Sequence, residues 1–379
     1  MSMGFVDSRK LALALSAVVL AGAVAAGCGS DDDDDGGGEA TDVKMGSTLI
    51  GPKNDKSFSQ AAYEGMVAAT EKFPNLELTS TLENRETDQA RADALETLAP
   101  INQLVVAVSS SFGPVLDVQA PNFPDSYFLN IAGATEEFQP NVTGLANEWG
   151  APAYVIGVVA AHLTKTDVVG YVGGAEIPAT VHAQHGFSAG VESVDPNIEV
   201  LENITGDFND VAEGKAATAA MISDDADVIF PFLDAGIEGA YEAGRESGEA
   251  PPMFKITVPD CEAYENMVGT EIVDNEEMTS ELIASYMDGK LEPGNIYLDL
   301  QSPELQTFEL CPKYAQDEEL ARVSKETIAA FNAGEIELPE DARYPRPDFP
   351  YREGLDGELQ STEGFEDQIG DGNQEFLEK

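Results

Sequence analysis

Within one short stretch, Asn54, Asp55, Lys56 and Phe58 offer an amide, a carboxylate, an ammonium and an aromatic ring. Together such groups hold a small ligand through directed hydrogen bonds and one flat apolar contact. The plainer reading is a solvated turn whose Phe58 fills core. Other candidates are weaker. His182 and His185 stand at i and i+3, which would place two imidazoles on one metal, but no acidic residue follows until Glu192 and His162 is distant. An ordinary helix surface is expected there, and no metal. Gly214-Lys215 is not a P-loop, because Asn209 stands where the first Gly is required and Ala216 where the magnesium-binding hydroxyl belongs. Gly173-Gly174 does not complete a dinucleotide fingerprint and reads as a turn. There is no Gly-x-Ser-x-Gly elbow, no assignable His base and no singled-out carboxylate pair. The expectation is therefore neither an enzyme nor a cofactor protein.

Holding the first loop requires a strand before it and a helix after it. Ser47 to Ile50 ends a short apolar run that Gly51-Pro52 breaks. Ser57 and Gln60 have capping-box spacing, so a helix should start near Phe58. Phe58, Ala62, Met66, Ala69 and Phe73 then recur at helical spacing, giving an apolar face that Pro74-Asn75 ends. In open α/β folds the loop leaving a strand's carboxyl end is where ligands bind. Further strands are expected at 76–82, 104–108, 127–131, 142–146, 168–172, 199–204, 228–233 and 253–258. Between them helices are expected at 87–98, 151–163, 181–194, 212–222 and 237–247. Such alternation predicts an α/β fold of parallel sheets with helices on both faces.

A break near residues 148–152 divides the pattern into two lobes joined by a hinge. The first is residues 45–149 with part of 258–290, and the second is 150–257 with part of 291–341. Their cleft would be the site. Trp149, the only Trp, sits at the junction and reads as packing rather than ligand contact. Residues 342–379 turn acidic and rich in Pro and Gly, so a loosely ordered tail or surface wrap is expected.

Charge and leader place this body outside the cytoplasm. Seventy acidic against 20 basic residues leave a formal charge of −50, which excludes nucleic acid as a partner, because phosphate binding needs clustered Lys and Arg. Arg9-Lys10 precede a small, apolar run from Leu11 to Ala26, too short for a membrane span and typical of a signal peptide. The run ends in Ala25-Ala26-Gly27-Cys28, which resembles the lipobox of bacterial lipoproteins. Residues 1–27 are thus expected as signal peptide, Cys28 as the lipidated first residue, and 28–44 as an acidic, Gly-rich tether to the membrane. Cys261 and Cys311 remain, and in an oxidising compartment a bond between them is expected, with two buried thiols as the alternative.

Several loops together resemble one family, the BMP (basic membrane protein) lipoproteins, the purine-nucleoside-receptor type of ABC-importer substrate-binding protein. Asn54-Asp-Lys-Ser-Phe-Ser-Gln60 with Glu64-Gly65 is similar to the family's D-D-K-S-F-N-Q…E-G. Lys165-Thr166, Gly170-Tyr-Val-Gly-Gly174 and Gly186-Phe-Ser-Ala-Gly-Val191 are similar to its K-T…G-F-V-G-G…G-F-x-A-G-V run. Gly206-Asp-Phe-Asn-Asp210 with Gly214-Lys215 is similar to G-S-F-x-D…G-K. The resemblance spans roughly residues 46–294 and implies a type I periplasmic-binding-protein fold that closes over a small ligand, often a nucleoside. It implies that Phe58 and Phe208 sandwich a base and that Asn54 and Asp55 bond base edges. Asp234 would accept ribose hydroxyls, and Asp260 matches the family acid after the next strand. ABC permease subunits would be the protein partner, with the chain itself a monomer. A sensor coupled to signalling and a hydrolase are the other classes considered. One departure stands out: where the family often carries a basic residue in a Ser-x-x-Lys setting, this chain reads Thr270-Glu-Ile-Val-Asp-Asn275.

Overall fold

A computed structural model describes residues 41–55, 57–358, 360 and 373–377. Lys56, the signal peptide, Cys28 and most of the tether lie outside the described residues. The first lobe opens with β1 (Val43–Leu49), α1 (Phe58–Lys72), β2 (Leu76–Leu82), α2 (Asp88–Leu98) and β3 (Leu104–Val108). It continues through α3 (Gly113–Gln119), β4 (Tyr127–Ile131) and β5 (Val142–Asn147). The chain then crosses to a second lobe: α4 (Gly150–Leu163), β6 (Val168–Gly173), α5 (Pro178–Val194), β7 (Glu199–Ile204) and α6 (Val211–Ser223). β8 (Val228–Phe232), α7 (Ile237–Ser247), β9 (Met253–Thr257) and β10 (Met267–Val273) complete its parallel part.

Beyond β10 the chain passes back and forth. α8 (Asn275–Met287) packs on α1, and β11 (Gly294–Leu298) joins the first sheet. β12 (Gln306–Leu310) and α9 (Glu318–Asn332) return to the second lobe, and β13 (Tyr351–Glu353) ends in the first. The first sheet runs β13-β11-β5-β4-β3-β1-β2, every pairing parallel. The second runs β12-β10-β9-β8-β6-β7 and is parallel except for its edge strand β12. Sequence periodicity assigned no element after residue 258, because the chain there passes back and forth between the lobes instead of repeating one strand-helix unit.

Local chemistry explains the elements. β3 is buried along its whole length, which suits its uninterrupted Leu-Val-Val-Ala-Val run to the middle of a parallel sheet. Asp210, Asp274 and Asp317 accept backbone N–H groups at the starts of α6, α8 and α9. Gly65 brings α1 against α8, since a Cβ there would lie 2.3 Å from the Glu276 carbonyl oxygen. The capping box read at Ser57 and Gln60 is not formed. Instead the Asp55 carboxylate accepts the backbone N–H groups of Ser57, Ser59 and Gln60 at 2.9, 3.0 and 3.0 Å, and the Ser57 hydroxyl points away into the cleft. A carboxylate can accept several amides where a hydroxyl accepts one, and it complements the helix dipole better.

Cys261 and Cys311 form a disulfide with their Cα atoms 5.6 Å apart. It joins the loop after β9 to the end of β12, within the second lobe. Closing a loop of 50 residues contributes roughly 4 kcal/mol in the chain-entropy model. The segment from residue 342, rather than hanging free, buries Tyr344 and Phe349 and then adds β13 to the edge of the first sheet.

Candidate functional site

Because both sheets are parallel, their carboxyl ends collect loops from several strands, and here the two sets face one another across the cleft. The end of β1 leads into Ile50 and Phe58, β3 into Ser109 and Ser110, β4 into Ala132, and β5 into Trp149. From the other lobe, β7 leads to Phe208, β8 to Asp234 and β9 to Thr257. These residues line one small cavity between the lobes. Its walls are chiefly aromatic and aliphatic.

One contact between the lobes is made by a hydroxyl. Ser57 Oγ donates to Asp234 Oδ1 at 2.6 Å and lies 3.0 Å from Thr257 Oγ1. Enclosure at this lobe interface pushes the Asp234 carboxyl up to about 7; the Ser57 hydrogen bond opposes that rise and the charge of Asp55 adds to it. Phe208 is fixed from behind, because its carbonyl accepts the backbone N–H groups of Asp234 and Gly236 at 3.0 and 2.9 Å. Its ring packs over Gly174, where a Cβ would lie 2.3 Å from the ring, so the Gly173-Gly174 turn makes room for an aromatic wall. Ala132 and Thr257 hold positive φ values of 62° and 67°, conformations that non-glycine residues adopt at a cost and that cluster at binding sites.

Phe58, Phe208 and Asp234 are thus brought to one cavity. Asn54, Asp55 and Asp260 are not. They line an outer cleft together with Asp207, Asp234, Glu238 and Lys255. Asn54 and Asp260 are exposed there, and Asp55 is occupied as the cap of α1. Burial holds the Lys255 ammonium below its usual range, while Asp260, Glu238 and Asp234 pull the other way.

Residue-by-residue reading missed part of the wall. Trp149, expected only to pack, lines the cavity as well, with its ring edge-on to Phe232 at 5.2 Å and its indole N–H buried without a partner. The available signal was its position just past the carboxyl end of β5. Ser109, Ser110 and Thr257 share that placement rule and carry no motif. In the stretch that lacks the family's basic residue, Glu271 is fully buried and Asp274 caps α8. Lys215 is held by Glu242 and Glu246 at 3.1 and 2.9 Å, far from any phosphate-binding role.

Two parallel-sheet lobes meeting over an apolar cavity are the architecture of a bilobed small-molecule binder. A family model described as Bmp, ABC transporter substrate-binding protein PnrA-like, matches residues 42–329, and the chain belongs to that family. It is similar to the ABC transporter nucleoside-binding protein BmpA of Lactococcus lactis subsp. cremoris, 32% identical over 266 residues that cover 68% of this chain and 75% of that one. A purine-binding protein of Brucella abortus is 24% identical over 302 residues, 78% of this chain and 82% of that one. Among solved structures, an ABC transporter solute-binding protein from Aeropyrum pernix K1 matches with a TM-score of 0.69 at 18% identity, covering 79% of this chain and 94% of that one. Another from Conexibacter woesei matches at 0.57 and 22% identity, covering 79% and 99%. The fold class read from the alternating elements, two doubly wound lobes of the periplasmic-binding type, is the fold of these neighbours. Family membership makes the chain an extracytoplasmic receptor with a small-molecule ligand and permease partners. No helix among the described residues is long and apolar enough to cross a membrane.

Proposed function

We propose that this receptor closes on a purine nucleoside or a closely related nucleobase compound and delivers it to an ABC permease, acting as a monomer held to the membrane by lipid on Cys28. The observation that carries this reading is that Phe58, from the first lobe, and Phe208, from the second, line the same cavity beside Asp234. Two rings presented from opposite lobes suit a flat heterocycle, and stacking contributes about 1–3 kcal/mol per base without choosing among bases. Asp234 and Thr257 supply directional hydrogen bonds at the cavity's edge, where ribose hydroxyls would replace the Ser57 contact. Asn54, Asp55 and Asp260 face the outer cleft and meet only what extends from the inner cavity. That outer cleft is lined by carboxylates, so a phosphorylated ligand is disfavoured by like charge. The relatives whose names specify a nucleoside or a purine support the same ligand class.

A thermal-shift screen of nucleosides, free bases, nucleotides and sugars on ligand-stripped protein tests this. Nucleosides or bases should raise the melting temperature while nucleotides and sugars leave it unchanged. Stabilisation by sugars alone would leave the family assignment standing and remove the nucleobase.

A further inference from the structure

The family match ends at residue 329, yet the described chain continues into the structure and touches both lobes. After α9, a single turn at Glu340–Ala342 lies on α5 of the second lobe. Asp341 pairs with His185 at 3.0 Å, and the Ala342 carbonyl packs so closely on the first residue of α4 that a Cβ on Gly150 would lie 2.0 Å from it. Four residues on, the chain is bonded to the first lobe. The Arg346 guanidinium stacks over the Tyr297 ring at 4.1 Å and takes Glu353 with two nitrogens at 2.6 and 3.0 Å. Tyr351–Glu353 then pairs with β11.

Between these anchors lies the hinge. Glu148, the residue that leaves β5 for α4, is 2% exposed and receives Arg346 Nη1 at 2.5 Å and the Tyr344 backbone N–H at 3.2 Å. Tyr344 packs edge-on to His182 of α5 at 4.6 Å. Pro339, Pro345, Pro347 and Pro350 restrict the backbone of the segment.

We infer that residues 339–353 are a strap that crosses between the lobes at the hinge and holds them toward the closed arrangement, with Arg346 as its fastening. Opening the cleft moves α5 relative to β11, so a proline-stiffened segment fixed at both ends must release one anchor or resist. Arg346 suits this position because its planar fork serves two carboxylates and a ring face at once, which Lys cannot do. Arg346 and Tyr344 line no part of the cavity; they are positioning residues that act on the hinge through Glu148.

The test needs no ligand. Spin labels at Glu71→Cys on α1 and Glu213→Cys on α6, both exposed, report the interlobe distance in the full mature chain. Arg346→Ala should move the ligand-free distribution outward and raise the open-to-closed ratio roughly tenfold. Arg346→Lys should move it the same way by less, and it serves alone if the alanine variant folds poorly. A lowered melting temperature with an unmoved distance distribution in the variant that folds means ordinary packing and overturns the strap. Because the readout is taken without solute, this result is independent of which ligand the cleft accepts.

Discussion

At the scale of single residues, the cavity combines aromatic walls with one acid whose environment opposes its charge. Asp234 ionises near 3.8 in an unstructured chain and near 7 in place, so the folded state holds a proton that the unfolded state has lost. Stability therefore falls as pH rises from about 4 to about 7, and no further above that. Asp234→Asn keeps an oxygen for Ser57 and removes the charge. The variant should gain thermal stability over wild type above pH 7 and lose that advantage below pH 4, as melting curves across that range would show. Equal pH profiles for the two proteins would mean the carboxylate is not confined by the lobes. Phe58 and Phe208 were legible because they sit in motifs shared with a family. Trp149 was not, since one aromatic at a strand end carries no period and its burial gives packing and cavity lining the same signature in sequence.

At the scale of elements, the start of α1 shows how spacing can locate a helix and misassign its cap. Both Asp55 and Ser57 precede the helix, and only geometry tells which turns inward. Asp55→Ala should cost about 1 kcal/mol through the loss of the cap, read as a lower denaturation midpoint. Ser57→Ala should leave that midpoint nearly unchanged and weaken the contact between the lobes. The reverse ranking would restore the capping box. Alternating strands and helices were legible up to residue 258 because they repeat a hydrophobic period, except for α3, whose seven residues are too few to show one. After that point burial is set by three crossings between lobes, so α8 and β12 owe their places to partners more than two hundred residues earlier in one case and to a neighbouring edge in the other. Glu271 illustrates the cost of such long-range burial. It is fully enclosed, burial drives its carboxyl far above the usual range, and Glu271→Gln should stabilise the protein increasingly as pH rises above the ordinary carboxylate range.

At the scale of the whole molecule, we propose two lobes that share one ligand and one lipid anchor. The anchor rests on the residues around Cys28, and Cys28→Ser should move the protein from the membrane fraction to the soluble fraction; retention in the membrane would remove the lipid from the account. The ligand is the larger claim. Since each ring belongs to a different lobe, the proposed stacks would both exist only when the lobes meet, and the solute would shift the population by its preference for that state. Calorimetry with a purine nucleoside on wild type, Phe58→Ala and Phe208→Ala measures this most directly. Each substitution should weaken binding by about 1–3 kcal/mol, or roughly 5- to 150-fold, while leaving the fold intact. Wild-type affinity in both variants would contradict the shared stack and leave only a bilobed receptor of another solute.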